Sequence, residues 1–124
     1  MTELRRILIA YLETLATRVY YRRAPEKAVF PYIVVEFLPS INDGEWDSVI
    51  PVDIDGWDRP VAGDTTILET IMDTIQLGLN KKSILTSNIG VTFYLESRRP
   101  VMDDDKQIER RKLSFEARLI ERSL

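Results

Sequence analysis

Apolar residues recur in two rhythms along this chain: every three or four positions in two segments, and every second position in several others. Between residues 3 and 17, Leu4, Ile7, Leu8, Tyr11, Leu12 and Leu15 fall on one stripe of a helix that Thr2 and its acidic neighbour can begin. A second stripe, Ile67, Leu68, Ile71, Ile75 and Leu79, predicts a helix through residue 80. Asp64 or Thr66 can cap it, and Thr66-x-x-Glu69 matches the capping box, in which hydroxyl and carboxylate satisfy opposing backbone donors. Lys81 and Lys82 stand near its end, where positive charge complements the helix dipole.

The period-2 segments predict strands. From Val52 the chain places Val52 and Ile54 on one face and Asp53, Asp55 and Trp57 on the other, as in a half-buried strand. Residues 32–38 form a nearly continuous apolar run broken only by Glu36, which reads as a central strand covered on both faces for part of its length. The two are joined by residues 39–47, a long hairpin loop whose Asn42-Asp43-Gly44 is a turn signal and whose Trp46 can pack back over the hairpin. Pro51 lacks a donor for sheet pairing, so its strand should lie at an edge or carry a bulge there. Arg18–Arg22 reads as a brief first strand or an extended connection, Ile89–Glu96 as a strand, and Arg98–Asp105 as a charged connection. Leu113, Phe115, Ala117 and Leu119 alternate with Lys112, Ser114, Glu116 and Arg118 in the last strand. The sum is an α+β fold: an antiparallel sheet of four to five strands with two amphipathic helices packed on it, as a single domain over residues 1–124.

Composition narrows the chemistry. With neither cysteine nor histidine, the chain has no thiolate nucleophile, no zinc site of the usual nitrogen and sulfur type, and no serine–histidine–aspartate triad. The five glycines are scattered singly, so there is no glycine-rich phosphate loop. The first residues lack the unbroken apolar core of a signal peptide, and no apolar run approaches the ~20 residues that span a bilayer. The expectation is a protein made in the cytoplasm, with no membrane span and no cofactor. The net charge of −3 is unevenly spread: the first 27 residues hold six basic and three acidic side chains, whereas residues 40–58 hold six acids and no base. Such a two-signed surface suits contact between unlike faces of neighbouring subunits, and equally an ordinary solvated surface.

Three clusters offer candidate chemistry. Asp53 and Asp55 share a face about 7 Å apart in an extended strand, with Asp58 near, so a magnesium or nuclease site comes to mind because hard cations prefer carboxylate oxygens. No lysine follows at nuclease-like spacing and Glu36 is the one obvious extra ligand, which favours solvated or intersubunit salt-bridge residues. Asp103, Asp104 and Asp105 lack the glycine turn and distal acid of a calcium loop. Arg98, Arg99, Lys106, Arg110, Arg111 and Lys112 surround that triplet, and its acids offset the basic patch a nucleic acid would require. A carboxylate- or metal-dependent enzyme is therefore the distant reading, and no enzymatic activity is expected.

The order of segments then adds a family. A helix, Val19-Tyr20-Tyr21, Pro25 before Phe30-Pro31-Tyr32, an acidic hairpin, the strand Asp53-Ile54-Asp55-Gly56-Trp57-Asp58, the helix at 65–80, an acidic turn and a final arginine-led strand resemble the tail terminator, or tail completion, proteins of tailed bacteriophages. The resemblance covers nearly the whole chain and rests on order and length. It implies a homo-hexameric ring at the head-proximal end of the tail tube, which stops tube polymerisation and joins the tail to the head connector. The implied partners are copies of this chain, the tail tube protein and a head connector or head-closure protein, with DNA passing through an acidic lumen and the virion as location. Trp46, Asp53, Asp55, Trp57, Arg98, Arg99, Asp103, Asp104 and Asp105 are the residues expected to face subunits or partners. The closest rival is another neck component, a head-closure or adaptor protein.

Overall fold

The computed structural model describes residues 2–39, 41–42 and 47–121. Two helices, α1 (Thr2–Leu12) and α2 (Thr66–Leu79), accompany seven strands: β1 (Val19–Tyr21), β2 (Tyr32–Phe37), β3 (Ile41–Asn42), β4 (Asp47–Asp58), β5 (Ser83–Leu85), β6 (Ile89–Val101) and β7 (Glu109–Glu121). They form one curled sheet in the order β1-β2-β4-β7-β6-β5, with β3 pairing with β4 off this path.

The α+β class and the two helices are as expected, but the sheet is larger than four to five strands and is not wholly antiparallel. β3 and β5 are two and three residues long, too short to show a hydrophobic period. β1 lies parallel to β2, Val19 opposite Ile33, because residues 22–31 carry the chain back before β2 begins. Every other pairing is antiparallel. The charged connection expected from Arg98 is instead strand as far as Val101, held by a register in which Arg99 faces Lys112 and Val101 faces Arg110.

Both helices lie on one face of the sheet. Leu4, Leu8 and Leu12 of α1 and Leu68, Met72, Ile75 and Leu79 of α2 are buried together with Ile54, Phe93, Leu113 and Phe115 from β4, β6 and β7. Full burial of such side chains contributes roughly 1.5–3 kcal/mol each, so this layer is the main source of stability. α1 stops at Leu12, earlier than the stripe to Leu15 suggested; the chain turns through Leu15 N–H to Leu12 C=O at 2.9 Å. Leu15 still reaches the core, packing where Gly78 has no side chain, and Tyr11 Oη donates to Gly78 C=O at 2.5 Å.

The ends of α2 also differ from the sequence reading. Thr66 is already within the helix, so the capping box does not form; Asp64 Oδ1 instead accepts from Thr66 N–H at 3.0 Å and from its hydroxyl at 2.6 Å. Glu69 is thereby free to act elsewhere. Beyond Leu79, Lys81 has a left-handed φ of 67° and its N–H donates to Phe93 C=O, which ties the end of α2 to β6. Lys82 Nζ lies over the Tyr11 ring rather than along the helix axis.

Pro51 is in β4, a central strand rather than an edge. Leu38 N–H donates to Pro51 C=O at 2.9 Å, so the same side of Pro51, including its nitrogen, faces the interval between the end of β2 and β3. The missing donor falls where the ladder is interrupted, which satisfies the physical requirement behind the expectation.

Candidate functional site

The face of the sheet away from the helices is charged, and β4 and β7 build it. Directly opposed residues of an antiparallel pair share a face. The register therefore sets Asp53 beside Ser114, Asp55 beside Lys112 and Trp57 beside Arg110, while Glu36 and Tyr32 of β2 flank one side and Arg99 of β6 the other. The alternation expected for β4 is observed: Val52 and Ile54 are fully buried in the core, and Asp53, Asp55 and Trp57 are half-buried on the opposite face.

Lys112 Nζ stands 3.6 Å from Asp53 Oδ2 and 3.8 Å from Asp55 Oδ2, and Arg110 Nη2 is 3.7 Å from Asp55 Oδ1. Ser114 Oγ donates to Asp53 Oδ1 at 3.0 Å. At the end of this row the Arg110 guanidinium lies 3.9 Å over the Trp57 ring, which stacks on Tyr32 at 6.0 Å between centroids. These charged side chains are only 16–19% exposed. Burial pushes the Asp55 carboxyl above the usual aspartate range, although Lys112 and Arg110 pull it down. Asp55 Oδ1, Trp57 Nε1 and Arg110 Nε are shielded from solvent and make no hydrogen bond among the described residues. Among the described residues, no three acidic side chains converge as a metal-binding group.

The structure separates the other residues singled out from the sequence. Arg99 joins the charged face and lies within 3.5 Å of Ser97 and Ser114 hydroxyls. Arg98 does not: a bulge between Leu95 and Ser97 turns it to the helix side. There its guanidinium meets Asp73 at 2.6 Å, Gln76 at 3.0 Å and Glu69 at 3.3 Å. Arg111 shares Glu69 at 3.1 Å, so two exposed carboxylates, Glu69 and Asp73, and two arginines fasten α2 to the sheet margin. Asp103, Asp104 and Asp105 occupy the turn from β6 to β7, where Asp103 Oδ1 accepts from Asp105 N–H and Asp105 Oδ2 pairs with Arg59 at 2.6 Å. The Arg59 and Gln107 N–H contacts hold the Asp105 carboxyl below its usual range, the Gln107 bond foremost. Trp46 lies outside the described residues, as does most of the loop around it.

The sequence placed Arg110 and Lys112 around the acidic turn and not beside Asp53 and Asp55, and it gave Glu69 a capping role rather than the bridge. The alternation in β7 already placed Lys112 and Ser114 on the wet side. That β7 pairs with β4 along all twelve of its residues is a long-range fact with no local signal.

No protein-family model matches the chain, and no curated protein matches it. Among solved structures, a chain from the virion of the native gene transfer agent particle has the same fold: TM-score 0.64 over 91% of this chain and 86% of that one, at 18% identity. At that identity the likeness is one of architecture, an α+β domain with a curled sheet and two helices on one face.

Proposed function

We propose that this protein is a structural component of a tailed-phage-like virion and that it acts without catalysis. The observation that carries the reading is the fold shared with the gene transfer agent virion chain over nearly the full length of both. Within such a particle we assign it to a ring, hexameric by family resemblance, at the head-proximal end of the tail tube. There it stops tube polymerisation and joins the tail to the head connector. The sequence order that resembles tail terminators supports this place, and a charged, largely self-neutralised sheet face fits a surface that meets other proteins rather than a substrate.

Asp53, Asp55, Trp57 and Arg99 belong to that face, and Asp103, Asp104 and Asp105 to a turn at its end; we assign these, with Trp46, to contacts with neighbours. Arg98 is committed to α2 and is withdrawn from that set. Deletion of the gene in a producing strain, followed by electron microscopy, tests the assignment. Tails of irregular or excess length that stay unjoined to filled heads are expected. Tails of normal length that fail to join would favour a head-closure or adaptor role, and normal particles would remove the protein from assembly.

A further inference from the structure

Two surfaces of this chain are complementary to each other in charge and shape, and neither the Asp64 carboxylate of one nor the arginines of the other form an ion pair among the described residues. The first is a cleft of about 280 Å³ at the start of α2. Phe30, Pro60, Val61 and Ile67 form its apolar walls, and Asp64 supplies an exposed carboxylate at its edge; Asp58 also lines it but is buried, its Oδ1 accepting from Arg59 N–H at 2.8 Å. Val61 is 89% exposed and Ile67 62% exposed, so the cleft has an apolar lip standing in water. Arg59 also borders it, but its guanidinium is engaged by Asp105 at 2.6 Å. The Thr66 hydroxyl, and then its N–H, hold Asp64 below the usual carboxylate range, so it keeps its charge. An apolar slot edged by an exposed carboxylate suits a long cationic side chain, whose methylene stem lies on the wall while its head meets Asp64.

The second surface is the turn after β1. Arg22 and Arg23 are both exposed, and neither makes an ion pair among the described residues, whereas Arg59, Arg98, Arg110, Arg111 and Arg118 all reach carboxylates. Arg22 adopts a left-handed φ of 71°, which residues with a side chain seldom take. The turn is held by Arg22 N–H to Val35 C=O at 2.8 Å and Arg23 N–H to Tyr21 C=O at 2.9 Å. Arg5 adds a third exposed cation beside it, over the Tyr21 ring.

We propose that the cleft at the start of α2 receives the Arg22–Arg23 turn of a second copy of this chain. The inference rests on the reading that copies of this protein assemble together. Charge points to a copy as the occupant: the first 27 residues carry six bases against three acids, and the remainder eleven against seventeen. The two surfaces are distinct, since Tyr21 is level with Val35 while the cleft lies beyond Tyr32 at the other end of β2. That is about 10 Å along an extended strand. A contact between unlike surfaces is head-to-tail, and repeats until it closes into a ring or extends as a filament.

The test is a nine-residue synthetic peptide, residues 19–27, titrated into the full chain and followed by heteronuclear NMR. Shifts confined to Phe30 and the amides from Val61 to Ile67 are expected. Binding should weaken at least tenfold for the peptide with Arg22→Glu and Arg23→Glu. Asp64→Ser in the protein, which retains a capping oxygen while removing the charge, should weaken the parent peptide about tenfold, and Ile67→Glu should do the same through the apolar wall. Shifts located elsewhere, equal binding of the peptide with Arg22→Glu and Arg23→Glu, or indifference to both protein variants would overturn the proposal. So would a short DNA duplex that engages Arg22 and Arg23 while the peptide leaves the cleft untouched. Particles that contain a ring of this chain although the peptide misses the cleft would remove this contact and leave the ring. A peptide seated in the cleft of a protein absent from particles would do the reverse.

Discussion

Gly56 and Met72 set how closely α2 lies on β4: a methyl group on Gly56 would stand 2.5 Å from Met72 Sδ and 2.9 Å from Leu68 Cδ1. The glycine is required here by space between a strand and a helix. It sits in β4 with the helix directly above it, on the row that also holds Ile33 and Arg111. Removing one side chain from a strand is what lets two residues of α2 drop into the core.

Gly56→Ala is therefore expected to destabilise the protein by about 1–3 kcal/mol, the usual cost of overpacking. Met72→Ala alone should cost about 2–5 kcal/mol through the cavity it leaves. The double variant should cost less than the sum, because each change relieves the defect of the other. Urea unfolding of the four proteins gives the coupling; strict additivity would show that the two residues do not contend for one space.

Glu69 bridges Arg98 and Arg111, and its side chain is 42% exposed, so water and salt screen the bridge. Glu69→Gln should lower stability by about 1 kcal/mol or less in dilute buffer, with the difference shrinking as ionic strength rises. Thermal melts at low and high salt read this directly. A loss that is large and independent of salt would mean that Glu69 acts through packing.

Asp55 has its carboxyl raised above the ordinary range by burial. A group shifted in that direction stabilises the fold while protonated, and the contribution is lost as pH rises through the folded value. At neutral pH the ionised Asp55 is then a net cost, and Asp55→Asn should equal or exceed the parent in thermal midpoint. The advantage should disappear as pH falls below the normal aspartate range. A variant clearly less stable at pH 7 would show that the Lys112 and Arg110 contacts outweigh desolvation.

The turn from β6 to β7 is fastened from outside by Arg59 on Asp105 and from within by Asp105 Oδ1 accepting from Gln107 N–H at 2.9 Å. Asp105 is shifted downward, so its local contribution is present above the ordinary aspartate range and is lost as pH falls through the lower folded value. Arg59→Ala should speed amide exchange at Gln107 and Ile108 while the global unfolding free energy stays within about 0.5 kcal/mol, as for other exposed changes. Unchanged exchange in that variant would assign the order of this turn to its own hydrogen bonds.

The sequence was most legible where one segment contained the whole signal. Side chains of an extended chain alternate by covalent geometry, so the opposite facing of Val52 and Ile54 against Asp53, Asp55 and Trp57 followed from their order alone. The same holds for Leu113 to Leu119 and for the apolar stripes of both helices. Those patterns determined the α+β class, the identity of the core and the wet side of β4 and β7. The absence of cysteine and histidine likewise excluded whole chemistries before any fold was known.

Tertiary structure decided what depends on partners far along the chain. The pairing of β7 with β4 brings Lys112 and Arg110 to Asp53 and Asp55, across more than fifty residues. The bulge between Leu95 and Ser97 reverses the facing that simple alternation assigns to Arg98, sending one of two adjacent arginines to α2 and leaving the other on the charged face. Glu69 could serve a helix cap or two distant arginines, and only the closeness of β6 and β7 to α2 makes the second choice available. Local pattern set which way each side chain points from its own backbone; the pairing of strands, a sum of contacts each worth little alone, set what it meets there.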